Sequence, residues 1–175
     1  KRATLGFALD HLARHAPVPR ETIALPSGAP WGRVDVDADR CTLCLSCVGS
    51  CPEGALLDGG EALALRFIES KCVQCGICVS TCPERAMSLV PRLDLTGAAR
   101  EPRVLNEAQI VGCTACGRPL GPAKMIDGMV ARLAGHSMFK GPGALDRLRM
   151  CADCRAKAMM TGEPDGIDLN RGGRI

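Results

Sequence analysis

The sequence predicts an α+β fold in which short strands and short helices are arranged in two modules. Apolar and polar residues alternate over short stretches such as Arg33–Asp37, a pattern typical of strands. A stretch of fifteen residues that starts at Cys41 recurs 31 positions later with eight identical positions, which predicts two facing copies in one compact unit. Aromatic residues make up only 2% of the 175 residues, whereas there are 12 cysteines. Something other than large side chains must therefore help to organise the interior.

The first 31 residues are predicted to form an N-terminal helix and an extended lead. Thr4–His15 carries an apolar stripe, and Pro17 ends it. Residues 17–31 are rich in Pro and Gly, and Thr22–Leu25 is predicted as a short strand.

Residues 32–91 are predicted to form a small domain with the two cysteine runs between its strands. The first strand, Arg33–Asp37, precedes the first run, and the second and third strands lie between the two runs. Asp58-Gly59-Gly60 provides a turn between these middle strands. The later predicted strands are Ala55–Leu57, Leu63–Ile68 and Ala86–Val90, with the last one ended by Pro91.

Both runs have the spacing C-x-x-C-x-x-C-x-x-x-C-P, which is typical of [4Fe-4S] cluster binding. The two-residue gaps place three sulfurs inside one tight loop, and the fourth cysteine, after a gap of three, points away toward the other cluster. The first cluster is accordingly assigned to Cys41, Cys44, Cys47 and Cys82. The second cluster is assigned to Cys72, Cys75, Cys78 and Cys51.

Disulfides or a zinc site are the alternatives for these eight cysteines. Two matching runs, each followed by proline, favour clusters over both alternatives. Each set is complete with four thiolates, which disfavours a three-iron cluster or an open catalytic corner. The three histidines, at positions 11, 15 and 136, lie outside the runs, so a Rieske arrangement is excluded locally.

On these motifs, residues 32–91 closely resemble the two-cluster bacterial 2[4Fe-4S] ferredoxin family. The resemblance implies a βαββαβ ferredoxin-like fold and low-potential one-electron transfer between two neighbouring clusters. The chain as a whole also resembles the C-terminal part of larger iron–sulfur proteins that accompany formate dehydrogenase-type molybdenum enzymes.

A linker, a second cysteine module and a mobile tail are predicted to follow, at 92–112, 113–160 and 161–175. The module contains the spacing C-x2-C…C-x2-C, with ligands Cys113, Cys116, Cys151 and Cys154. Gly117 after the second cysteine resembles a zinc knuckle, and a predicted helix, Pro122–Ala134, fills the 34-residue gap between the pairs. We expect structural Zn²⁺ here; a third iron–sulfur cluster, mono-iron or free thiols are the alternatives.

Charge and hydropathy exclude several functional classes. No run of about 20 apolar residues is present, so we expect no membrane span. The formal charge is +3, but 41–90 holds five acidic against three basic side chains, and stacking aromatics are scarce. Nucleic-acid binding is therefore disfavoured. Reduced cysteines without a visible signal-peptide core predict a cytoplasmic location.

These observations predict an electron-transfer protein rather than an enzyme. The chain would pass single electrons through two [4Fe-4S] clusters, as a soluble carrier or as a subunit of a larger redox system. Its partners would be a donor and an acceptor redox protein, with a formate dehydrogenase-type enzyme as one candidate. The alternative is an assembly or maturation factor for a molybdenum enzyme that binds its client through the Cys113–Cys154 module.

Overall fold

The computed structural model describes residues 2–60, 62–141 and 143–161. It divides into two compact units, Lys1–Glu107 and Ala108–Ile175. The mixture of helices and small antiparallel sheets confirms the predicted α+β class. Within the part of the chain that the structure describes, none of the helices has the length and apolar character needed to cross a bilayer.

The first unit contains two three-stranded antiparallel sheets. In one, β5 (Met87–Asp94) lies between β1 (Thr22–Ala24) and β2 (Gly32–Val36). In the other, β4 (Ala64–Phe67) lies between β3 (Leu56–Asp58) and β6 (Arg103–Glu107). Two short helices, α2 (Ser46–Gly49) and α3 (Ile77–Thr81), contact each other and complete the unit together with the N-terminal helix α1 (Arg2–His15).

The strand predicted to end at Pro91 continues to Asp94. Pro91 pairs with Gly32 of β2, and the next residue, Arg92, pairs with Ala24 of β1. Pro91 therefore lies where β5 passes from one partner strand to the other, a position at which its missing N–H costs little. Its carbonyl still accepts a hydrogen bond from Leu25 N–H at 3.3 Å.

The core of the first unit is small and aliphatic, with a single aromatic ring. Phe67, Leu65 and Val34 are its largest fully buried side chains. The cysteines Cys47, Cys72 and Cys78 are themselves counted among the buried residues. Cysteine side chains therefore form part of the core of this unit, in agreement with the scarcity of aromatic residues.

The second unit combines one hairpin with two helices. Strands β7 (Ile110–Gly112) and β8 (Pro119–Pro122) pair, and α4 (Ala123–Leu133) follows directly. Two 3-10 helices, Ser137–Phe139 and Asp146–Arg149, lead to α5 (Ala152–Thr161).

The boundaries between segments differ from the expected linker. Residues 103–107, which lie inside the expected linker 92–112, form β6 and extend the sheet of β3 and β4 in the first unit. Pairing with β4 supplies partners for backbone groups that an isolated linker would expose to water. The predicted mobile tail, 161–175, lies beyond the described residues except for Thr161.

Candidate metal centres

The eight cysteines of the two runs line two hollows, four in each. Three of the cysteines in a hollow come from one run and the fourth from the other run. The first hollow is lined by Cys41, Cys44, Cys47 and Cys82. The second is lined by Cys72, Cys75, Cys78 and Cys51.

The two runs fold alike because the same backbone positions adopt left-handed conformations. Leu43 and Gln74, which correspond in the repeat, have φ of 54° and 55°. Leu45 and Gly76, at the starts of α2 and α3, have φ of 58° and 80°. A left-handed residue beside right-handed ones turns successive N–H groups toward the same side and makes an anion-binding concavity. Such a loop suits an anionic iron–sulfur cluster, because both the sulfides of the cluster and the cysteine thiolates that hold it accept hydrogen bonds.

Two cysteines, Cys51 and Cys82, each belong to one run and line the hollow of the other; we call them the crossing cysteines. They also receive matching backbone hydrogen bonds. Ala55 N–H donates to Cys51 Sγ at 3.3 Å, and Ala86 N–H donates to Cys82 Sγ at 3.4 Å. These residues correspond in the repeat as well. Hydrogen bonds of this kind stabilise a sulfur that carries negative charge, and they orient it.

Burial makes thiolates in the hollows costly unless a cation stands beside them. Burial, followed by repulsion from neighbouring Cys41 and Cys78, raises the pKa of Cys47 to about 12. Burial, followed by repulsion from the other cysteines of its hollow, raises the pKa of Cys78 to about 11. Both groups can become thiolates near neutral pH when bonded to iron, which supplies the missing positive charge. The four soft sulfur donors and the inward N–H groups thus fit an iron–sulfur cluster.

One cysteine in each hollow faces solvent. Cys44 and Cys75 are exposed, whereas Cys47, Cys72 and Cys78 are buried. The exposed pair occupies the same place in the two copies of the repeat. Each hollow therefore has one solvent-exposed edge, marked by Cys44 or Cys75.

The third cysteine set forms a much tighter site in the second unit. The Sγ atoms of Cys113, Cys116, Cys151 and Cys154 all lie within 4.8 Å of one another. The distance between Cys116 Sγ and Cys151 Sγ is 3.7 Å. Four sulfurs placed tetrahedrally about 2.3 Å from a zinc ion stand about 3.8 Å apart. The site is therefore sized for a single metal ion.

The hairpin and the start of α5 bring these sulfurs together. Gly117, with φ of 73°, closes the turn after Cys116, and its N–H donates to the Cys113 carbonyl at 2.8 Å. The Cys151 N–H donates to Cys113 Sγ at 3.2 Å. Arg118 and Asp153, each next to a ligand loop, form an ion pair at 2.6 Å. The two halves of the site are thus fixed to each other around the sulfurs.

Hydrogen bonds shift the pKa values of Cys113 and Cys154 in opposite directions. The hydrogen bond from the Cys151 N–H lowers the pKa of Cys113 to about 6. Hydrogen bonds from the Cys154 thiol to Cys116 and Cys151 raise the pKa of Cys154 to about 12. A metal ion that binds here must displace the thiol protons that remain.

The structure adds two contacts to cysteine sulfur that were not predicted. Ser46 Oγ lies 3.4 Å from Cys44 Sγ, and Gln74 Nε2 lies 3.4 Å from Cys72 Sγ. Comparison of the two repeats singles out both positions, since Ser46 corresponds to Ile77 and Gln74 to Leu43, but it does not identify the sulfur that either side chain contacts.

Comparison with known proteins supports the assignment of the first unit. Residues 33–83 match the family model described as the 4Fe-4S dicluster domain. No curated protein matches the chain. The match spans both cysteine runs, the two middle strands and both short helices. Residues 33–83 therefore carry an iron–sulfur segment of the 4Fe-4S dicluster type, and the function that such a segment implies is electron transfer.

Proposed function

We propose that this chain carries single electrons through two [4Fe-4S] clusters and catalyses no bond chemistry itself. The crosswise lining of the two hollows is the observation that supports this proposal best. When bound, each cluster accepts and releases one electron. The ligands of the first would be Cys41, Cys44, Cys47 and Cys82. Those of the second would be Cys72, Cys75, Cys78 and Cys51.

The protein's own residues insulate and connect the two sites. Buried Leu65 and Met87 line or border the first hollow, and Val34, Leu56 and Phe67 line the second. This apolar wall keeps water from the buried sulfurs. The helices α2 and α3, which each carry a ligand, contact each other, so the two sites are neighbours. Electrons can then pass between them and leave at the edges marked by Cys44 and Cys75.

The second unit is proposed to hold one structural zinc ion at Cys113, Cys116, Cys151 and Cys154. Four cysteines leave no coordination position for a substrate, so the role of the ion would be to stabilise the fold. We further propose that the chain works with a donor and an acceptor protein, for which a formate dehydrogenase-type enzyme is the candidate that the overall sequence resemblance suggests.

The proposed cofactors are tested first by the metal and sulfide content of the wild-type protein. Anaerobically prepared protein should contain about eight irons and eight sulfides in two cubane clusters. It should also contain one zinc and show two overlapping cluster signals in electron paramagnetic resonance after reduction.

The two crossing variants serve as controls for each other. In Cys82→Ser the cluster bound by the first run should be altered or lost while the signal of the second remains, and in Cys51→Ser the reverse should hold. A wild-type protein without iron would refute the proposal. Loss in each variant of the cluster bound by its own run would refute the crosswise assignment.

A further inference from the structure

We propose that Gln74 is a positioning residue that raises the reduction potential of the second cluster relative to the first by donating a side-chain hydrogen bond to Cys72. This inference rests on the proposed function. It starts from a difference between two copies of a repeat that otherwise fold alike.

The Gln74 amide holds a fixed place beside the ligand loop. Its Nε2 donates to the Arg33 carbonyl at 3.1 Å and points at Cys72 Sγ at 3.4 Å. The backbone N–H of Gln74 also donates to the same sulfur at 3.4 Å. Cys72 is buried, so its sulfur receives these two bonds away from bulk solvent.

The orientation of the amide is determined by its neighbours. Both groups that face Nε2, a carbonyl oxygen and a sulfur that is a thiolate when metal-bound, can only accept hydrogen bonds. A flipped amide would turn Oε1 toward two acceptors. In the observed orientation Oε1 is buried without a hydrogen-bond partner. Because an unsatisfied buried acceptor is unfavourable, the donor interactions must outweigh that cost when the thiolate is formed.

The fold also leaves room for the amide at one specific point. A Cβ on Gly32 would clash with the Val90 backbone carbonyl oxygen and would also stand 2.7 Å from Gln74 Cδ and 2.8 Å from Gln74 Nε2. Glycine at the start of β2 therefore allows the amide to lie against the strand. Packing alone does not demand glutamine, because the other copy of the repeat has Leu43 at this position with the same backbone conformation and only 5% exposure.

The consequence for the cluster follows from charge. Reduction adds one negative charge, part of which resides on the ligand sulfurs. A hydrogen-bond donor stabilises the reduced form more than the oxidised form and raises the potential. The first cluster has a different side-chain donor, Ser46, next to Cys44, but both residues are exposed and the bond competes with water. The half-buried amide, which donates to a buried sulfur, should therefore have the larger effect.

The test compares three variants by anaerobic potentiometric titration of the reconstituted full chain. Gln74→Met keeps the length of the side chain and removes the donor, so one of the two midpoint potentials should fall while the other stays in place. Ser46→Ala should lower the other midpoint by a smaller amount. Ser80→Ala is the matched control, because Ser80 donates to the Ile77 carbonyl on α3 and not to a sulfur, and it should shift neither potential.

The outcomes separate this inference from the proposed function. A wild-type protein without two clusters would refute the proposed function. An eight-iron Gln74→Met protein with both midpoints unchanged, or with both shifted equally, would refute only the role of Gln74. Gln74→Leu, which copies position 43, replaces Gln74→Met if the latter binds less iron. If both variants lost iron, the proposal that Gln74 adjusts the reduction potential would be refuted, and Gln74 would instead be needed to retain the cluster.

Discussion

At the scale of single residues, the ion pair between Glu69 and Arg92 is, among the ion pairs of the described residues, the one whose acidic partner is buried. Glu69 is a charged side chain with only 6% exposure, and both of its oxygens accept hydrogen bonds from Arg92 at 2.7 Å. The bonds to Glu69 raise the pKa of Arg92. Asp94 is a second acceptor for the same guanidinium at 3.1 Å. The pair joins the segment before the second cysteine run to the central strand β5.

Removing the charge of Glu69 should destabilise the first unit. Glu69→Gln preserves the shape but leaves a partly buried guanidinium with weaker partners. Breaking a fully buried pair costs about 3–5 kcal/mol. Because Asp94 and some solvent remain, we expect a loss of about 2 kcal/mol. The measurement is urea unfolding of the cluster-containing protein under anaerobic conditions, with the absorbance of the clusters as the signal that reports unfolding.

A matched control for this variant is Glu53→Gln, which neutralises an exposed carboxylate in the same unit. It should change the free energy of unfolding by less than about 0.5 kcal/mol. Equal midpoints for the Glu69 and Glu53 variants would show that the ion pair does not stabilise the unit.

At the scale of elements, the hairpin of β7 and β8 determines the geometry of the Cys113–Cys154 site. A Cβ on Gly112 would lie 2.8 Å from the Gly117 carbonyl oxygen, which is backbone and cannot move without opening the turn. Gly112→Ala should therefore spread the sulfurs of Cys113 and Cys116 and weaken metal binding by roughly tenfold or more. The assay is zinc loss to a competing chelator under anaerobic conditions.

The same unit offers a glycine that should tolerate alanine. Gly128 lies within α4 and has no atom within 4 Å of the position of an added Cβ. Gly128→Ala should leave zinc affinity unchanged and stabilise the helix by about 0.4–1 kcal/mol, because the unfolded chain loses freedom. If both alanine variants released zinc at the wild-type rate, the close approach at Gly112 would have no part in the site.

At the scale of the whole molecule, the sequence predicted the local elements better than their assembly. The spacing within the two runs led to a predicted set of four cysteines for each cluster, and the cysteines of each set line one hollow of the structure. The four cysteines of the third set also lie close together. The extension of β5 past Pro91 and the pairing of β6 with β4 depend on contacts between distant segments, which no local pattern specifies. The contact of Gln74 with Cys72 was missed for a similar reason, since it needs the space left by Gly32 on another strand.

The division into two units leads to a prediction about metal removal. Each unit has its own paired strands and its own cysteine set, and among the described residues of the second unit Ile126 is the largest buried apolar side chain. Because the proposed zinc ion would cross-link this small core, the second unit should depend on that ion for folding. A zinc-selective chelator should therefore abolish the helical signal of α4 and α5 in circular dichroism while cluster absorbance from the first unit persists. Cys154→Ser should reproduce this result without chelator. Loss of cluster absorbance in step with zinc release would contradict independent folding, and unchanged helical signal after complete zinc release would contradict the structural role of the metal.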